Sequence, residues 1–386
     1  MTQDKDLELN ELLRRYASKG WLHDEVFKAF YHDTGFIIAA HTKDGIAQMI
    51  RDENPDRNPD YEWLDSAAEF QATMPEGVLT GELKGWRGAI KRKGAGWVFA
   101  RGALVSAARE AARLGVDFVT GTEGDVKSLI IEDGVVLGVT TSSSTSHFAD
   151  RVILSAGAAA PGLLDMKDQL RPTAWTLAHI ALSPSECALY KNLPVLYNLE
   201  AGFFLEPDEE RRELKICDEH PGYTNFTTDA EGRKTHTSVP FAKHQIPIAS
   251  EQRIRRFLAD TMPQLRDRAF SFARICWCAD TVDRNFLISL HPSLRNLVLA
   301  VGGSGHGFMH ITSVGGFVVD AMEGKLEGRL KEAFKWRPEQ AVNRDWSDVQ
   351  DRRGGPNAVM DFGDVEKEGG WTCIESERPY SVDKET

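Results

Sequence analysis

The sequence predicts a mixed α/β fold built from two domains, and three observations carry that expectation. Residues 91–157 read as helix, strand, hairpin and strand in succession. Residues 166–275 turn β-rich, with one amphipathic helix near their end. Residues 297–323 then return to a strand, a glycine turn and a helix, as if the chain re-entered the first unit. Strand–helix alternation followed by runs of strands is the pattern of separate layers, a nucleotide-type sheet beside an antiparallel one.

In chain order, the first forty residues give polar helices and then a short strand in "TGFIIAAH" (34–41), and residues 45–82 form a mixed, carboxylate-rich helical segment. In "KRKGAGWVFARGALVSAAREAARLGVDFVTG", Val98, Leu104, Val105, Ala108 and Ala112 recur at helical spacing. Gly115 ends that helix, and "VDFVTG" is expected to be a strand. Two alternating apolar runs flank Asp133-Gly134, a hairpin signal, before the apolar strand "RVILSAG". This series resembles the close of a nucleotide-binding unit but is equally any α/β sheet with a hairpin insertion. "TAWTLAHIAL", "GFFLEPD" and "ELKICDE" are strand-like, and "SEQRIRRFLADTMPQL" is an amphipathic helix. Residues 331–386 read as a polar tail.

Bulk properties narrow the function. The 386 residues carry a net charge of −12 without a basic run, which argues against nucleic acid and anionic membranes. No apolar stretch approaches the roughly 18 residues of a spanning helix. The charged start is unlike a signal peptide, and "VDKET" is not a peroxisomal tripeptide, so a cytoplasmic location is expected. Five scattered cysteines do not make a disulfide framework.

Three stretches can carry chemistry. "VGGSGHGF" (301–308) runs from an apolar strand into four glycines and a helix, a place where backbone N–H groups can approach a ligand. It fits neither the dinucleotide fingerprint nor a P-loop, and it reads equally as a tight turn. Cys276 and Cys278 straddle Trp277; on a strand they share one face. Their spacing suits neither a zinc half-site nor a disulfide, so no metal is expected, and two buried thiols are the plain alternative. If "LKICDE" is a strand, Lys215, Cys217 and Glu219 share a face, either a solvated edge or the lining of a polar site. His306 and His32 are candidates for simple hydrogen bonding, and His291 for a turn.

"RICWCADTVDRNFLISLHPSLRNLVLAVGGSGHGF" (274–308) resembles the stretch shared by monomeric sarcosine oxidase and the fungal fructosyl amino acid oxidases, or amadoriases. "KWRPEQAVNRDWSDVQDRRGGPNAVMDFGDV" is similar to the amadoriase tail, and "FYHDTGFIIAAH", "GFFLEPDEE" and "KICDEHPGY" resemble segments in the same order. The resemblance implies an FAD/NAD(P)-binding Rossmann-like domain with an antiparallel-sheet substrate domain. It implies an FAD-dependent oxidase of the C–N bond of a secondary amino acid: hydride passes to the flavin, the imine hydrolyses, and O₂ gives H₂O₂.

Residue by residue, the resemblance implies that Cys276 bonds the flavin covalently and that Lys215 assists oxygen reduction. Glu219 would contact the substrate near its amine, and Arg352 would clamp the substrate carboxylate in a planar fork. The backbone of Gly303, Ser304, Gly305, His306, Gly307 and Phe308 would face the flavin. Met309 stands where the resemblance implies a carboxylate-pairing lysine. Its apolar wall suggests a bulkier or more apolar substrate than a sugar adduct, such as an N-methyl aromatic amino acid of secondary metabolism.

Nothing before Asn10 resembles the family's G-x-G-x-x-G turn, so the nucleotide domain is expected to be N-terminally truncated. The expected division is 1–44, a partial FAD-binding and helical segment; 45–95, substrate domain; 96–165, FAD-binding; 166–285, substrate domain; 286–330, FAD-binding return; and 331–386, tail. The alternative is a catalytically inactive remnant whose surviving domain binds a small molecule or partner. A nicotinamide-dependent dehydrogenase fares worse, for want of a dinucleotide fingerprint.

Overall fold

Ten strands join into one sheet that runs through the computed structural model, which describes residues 2–53, 58–208, 210–228, 231, 234–344, 346 and 359–374. From one edge the order is Met360–Asp361, Tyr223–Thr224, Leu170–Ala181, Glu213–Asp218, Gly202–Phe204, Val195–Asn198, Phe36–Ala40, Arg87–Lys91 and Tyr61–Leu64. The long strand Phe272–Thr281 leaves this path and lies antiparallel along the other side of Leu170–Ala181, matched residue for residue from Leu170↔Thr281 to His179↔Phe272. The strand Leu170–Ala181 is therefore the spine of the molecule. Tyr223–Thr224 and Glu213–Asp218 share one of its edges, and Phe272–Thr281 holds the other.

Alternation along these strands splits the sheet into two unlike faces. One face carries Ala178, Ile180, Leu214, Ile216 and Ala273, all fully buried, beneath Ile254, Phe257 and Leu258 of the amphipathic helix Ile248–Thr261. This is the main core, and Phe70, Trp86 and Phe204 complete it. Gly202 marks a tight crossing there. Its φ is +143°, and an added Cβ would lie 2.2 Å from the Cys217 carbonyl oxygen.

A second, three-stranded sheet has Leu297–Val301 at its centre, antiparallel to Leu287–Leu290 and parallel to Val152–Leu154. The helix Ile311–Met322 and the long first helix Thr2–His23 cover it, burying Leu9 and Leu13 against Phe286, Ile288, Val298 and Phe317. Gly20 is needed at that crossing, because a Cβ there would sit 2.3 Å from Thr312 Cβ. A hairpin, Val126–Glu132 with Val135–Thr141, turns at Asp133-Gly134 with positive φ at both residues, as the dipeptide predicts.

Two expectations are corrected. "VDFVTG" forms no strand: residues 116–120 run extended, with Val116, Phe118 and Val119 exposed. The residues carry strand propensity, but no described strand pairs with them, and propensity alone does not make a strand. The helix Ala100–Arg113 forms, yet it buries only Ala103, and Leu104 and Val105 remain exposed. No described helix is long and apolar enough to cross a membrane.

Candidate active site

The other face of the large sheet is partly open where it should be most buried. Lys215 lies opposite His179, Cys217 opposite Leu177, Cys276 opposite Trp175 and Cys278 opposite Thr173. Directly opposed residues point to the same side, so all eight share one face. Along Phe272–Thr281, Ala273, Ile275 and Ala279 are buried on the core face, while Cys276 is exposed and Arg274 and Cys278 are half-buried. Four residues of rise and two interstrand spacings put Lys215 and Cys276 roughly 16 Å apart at Cα, on either side of the spine strand.

The thiols differ in character. Burial pushes Cys217 up to about 12, against the pull of the Lys215 ammonium, so it remains a thiol. Cys276 reaches solvent and is sterically free to react. Lys215 is half-buried, with Nζ 5.8 Å from the centre of the Phe203 ring. Glu219 is buried at 6% exposure, but it falls one residue beyond the strand Glu213–Asp218. Its direction is therefore set by the turn that follows rather than by strand alternation; its amide donates to the Ala201 carbonyl at 3.3 Å.

The glycine stretch is fastened to the far end of the cysteine strand. The Ser304 amide donates to the Ala279 carbonyl (3.1 Å), and the Thr281 amide donates to Ser304 Oγ (3.2 Å). Gly302 and Gly305 have φ of +83° and +78°, and Ser304 itself is left-handed at 45°. A Cβ on Gly302 would meet Thr281 Cγ2 at 2.6 Å, so glycine there is a packing requirement. His306 Nδ1 lies 3.1 Å from the Ser304 carbonyl, and its ring meets Phe286 edge-on. Gly303, Gly307 and Phe308 complete the loop before the helix, and Phe308 packs beside Trp21. Met309 is 46% exposed, and its carbonyl accepts a 2.7 Å bond from the Trp21 indole. Arg352 lies outside the described residues.

Two of the histidines singled out by sequence have plain roles. His291 Nδ1 accepts from the amides of Ser293 and Leu294, a turn cap. His32 stacks on Trp97, whose indole donates to the buried Glu206. Sequence reasoning missed Trp175, His179 and Arg274, which share the face with Lys215 and Cys276. The alternation in "TAWTLAHIAL" held the signal, since Trp175, Leu177 and His179 are two apart. His179 Nδ1 is 3.1 Å from the buried Glu213, which also accepts from Ser271 Oγ. Among the described residues no group of three His, Cys, Asp or Glu could hold a metal ion.

Comparison with known proteins gives this geometry a context. The profile of the DAO family, described as FAD dependent oxidoreductase, matches residues 4–321. The fold superposes on the deglycating enzyme fructosamine oxidase from Aspergillus fumigatus (Amadoriase II) with a TM-score of 0.92 and 52% identity, covering 96% of this chain and 84% of that one. It also superposes on fructosyl peptide oxidase from E. terrenum with a TM-score of 0.79 and 34% identity, covering 92% and 82%. L-Saccharopine oxidase of Schizosaccharomyces pombe is 27% identical over 78% of this chain and 71% of its own length.

Proposed function

The chain belongs to the DAO family of FAD-dependent oxidoreductases, and from that premise we propose that it oxidises the C–N bond of an N-substituted amino acid. One observation carries the reading: Lys215 and Cys276 stand on one half-open sheet face, astride the same strand. Bound FAD supplies the hydride acceptor, and O₂ its reoxidant.

What the chain's own residues contribute follows from their surroundings. The exposed Cys276 thiol is placed to tether the flavin, where the buried Cys217 is not. Lys215 offers a fixed cation where negative charge develops on oxygen, and a partly dry setting strengthens that effect. Glu219 would face the substrate amine, and Arg352 its carboxylate. The main chain of residues 303–308 would lie against the flavin, where glycines carry no side chain to hold a ligand away; the Ser304 and His306 amides are already engaged by the Ala279 and Gly303 carbonyls. Met309, exposed and uncharged, would line the substrate side. A lysine there would add a charge-assisted bond of about 1.5–3 kcal/mol; its absence favours a bulkier or more apolar amine over a sugar adduct. Residues 96–165 and 286–330 would form the FAD-binding part, and 45–95 and 166–285 the substrate side.

The test is flavin fluorescence on the denatured, desalted protein band. Fluorescence that survives and disappears in Cys276→Ser supports the tether; a colourless folded protein overturns the oxidase reading. Turnover on N-methyl-tyrosine against fructosyl-valine tests the substrate, and a clear preference for the sugar adduct refutes the apolar assignment.

A further inference from the structure

Behind the Lys215 face lies a largely buried polar cluster around Asp218. Arg253 Nε donates to Asp218 Oδ2 at 2.8 Å, and its Nη2 donates to Tyr223 OH at 2.9 Å and to Ser250 Oγ at 2.7 Å. Thr176 donates to the other Asp218 oxygen. His220, with no exposed surface, lies with Nε2 3.4 Å from Thr176 Oγ1 and 3.6 Å from Asp218 Oδ2. Its Nδ1 accepts the Gly222 amide at 2.9 Å. That bond fixes the tautomer: Nδ1 is the acceptor, so the ring proton sits on Nε2, toward Asp218 and Thr176.

These contacts surround one turn. Residues 219–222 link Asp218 to Tyr223, and both flanking segments pair with the spine strand, through Cys217↔Leu177 and Tyr223↔Ala174. From the open face, Trp175 Nε1 donates to the His220 carbonyl at 2.9 Å. From the core face, His220 Nδ1 closes the turn on itself. Gly222, at φ +108°, admits no side chain, because a Cβ would lie 2.4 Å from Thr173 Cγ2. The turn is thus gripped from both faces of the sheet, and Glu219 is its first residue.

We propose that His220 is a positioning residue: set against Asp218, which Arg253 anchors, it closes the turn that aims Glu219 across the face carrying Lys215. A histidine accepting from the amide two residues on performs the work of an Asx turn. Asparagine can therefore replace the Nδ1 end of the ring, whereas glutamine reaches only the Nε2 end. The inference rests on the reading of Glu219 as a substrate contact.

The test compares His220→Asn, His220→Gln and Glu219→Gln in the flavin-loaded full chain. His220→Gln is expected to raise KM for the amine about tenfold with little change in kcat, and His220→Asn to stay within about threefold of the parent. By hydrogen exchange, the Gly222 amide should exchange about tenfold faster in His220→Gln and stay protected in His220→Asn. A role in packing alone would lower the melting temperature of both variants and leave KM unmoved, and that result overturns the proposal. So does an effect in Glu219→Gln without one in a folded His220→Gln. An unaffected Glu219→Gln overturns the underlying reading and this proposal together.

Discussion

The ten-stranded sheet and the three-stranded sheet around Leu297–Val301 are held in different ways. In the large sheet the spine strand Leu170–Ala181 is paired over residues 170–179 on one edge and at 174 and 177–181 on the other, and its core face is sealed by a helix. In the small sheet Val152–Leu154 is an edge and Ile153 is 46% exposed; elsewhere Leu104, Phe118 and Phe148 are open to solvent. The proposed chemistry, which depends on the relative placement of side chains, belongs to the large sheet. The small sheet supplies the strand that feeds the glycine loop; helices cover one of its faces, and Val136, Leu170 and Ala279 from other strands pack against the other.

The sharpest way to break this contrast is to remove a charge from the rigid side. Arg253→Leu leaves Asp218 as a buried carboxylate without its cation and should destabilise the fold by about 3–5 kcal/mol in urea titration. Next, Leu299→Ala in the buried strand of the small sheet should cost about 2–5 kcal/mol, because its side chain is fully enclosed even there. A cost near zero would mean the small sheet is not packed as described.

A smaller effect is expected from pH. Glu186 is held down to about 2, first by its hydrogen bonds from Arg268 and then by the Ser183 amide. A carboxyl depressed on folding lends stability above its ordinary range, and that stability is lost as pH falls from about 4.5 toward 2. Because the pair is partly solvated, the contribution should be about 1 kcal/mol, read as a melting-temperature difference from Glu186→Gln that vanishes at low pH. The least effect belongs to the open side: Phe118→Ser should change stability by no more than about 0.5 kcal/mol. A large loss there would show that the exposed apolar residues are covered in solution.

The same contrast explains what could be read from the residues alone. The alternating patterns of "TAWTLAHIAL", "LKICDE" and "RICWCADT" are borne out as strands, with the core-face residues Ala174, Ala178, Ile180, Leu214, Ile216, Ala273 and Ile275 falling on alternate positions. The Asp133-Gly134 hairpin and the strand–glycine–helix return from Leu297 also appear as expected, since turn chemistry is local. "VDFVTG" failed as a strand because a ladder needs a neighbour, which no local pattern reports. The match of Cys276 to Trp175 and of Lys215 to His179 was invisible for the same reason: register between distant segments is a tertiary fact. Glu219 lay in the sequence beside a recognisable strand, yet its aim depends on His220 and Gly222, which sat in the family-like stretch "KICDEHPGY" without a role of their own.

The grip of Trp21 on residue 309 has a consequence for how this enzyme could diversify. The indole holds the main-chain oxygen and ignores the side chain, so position 309 can be exchanged while its Cα stays anchored to the first helix. On the proposed reading, in which residue 309 lines the substrate side, selectivity could then drift by single replacements at one address while the main chain there stays held.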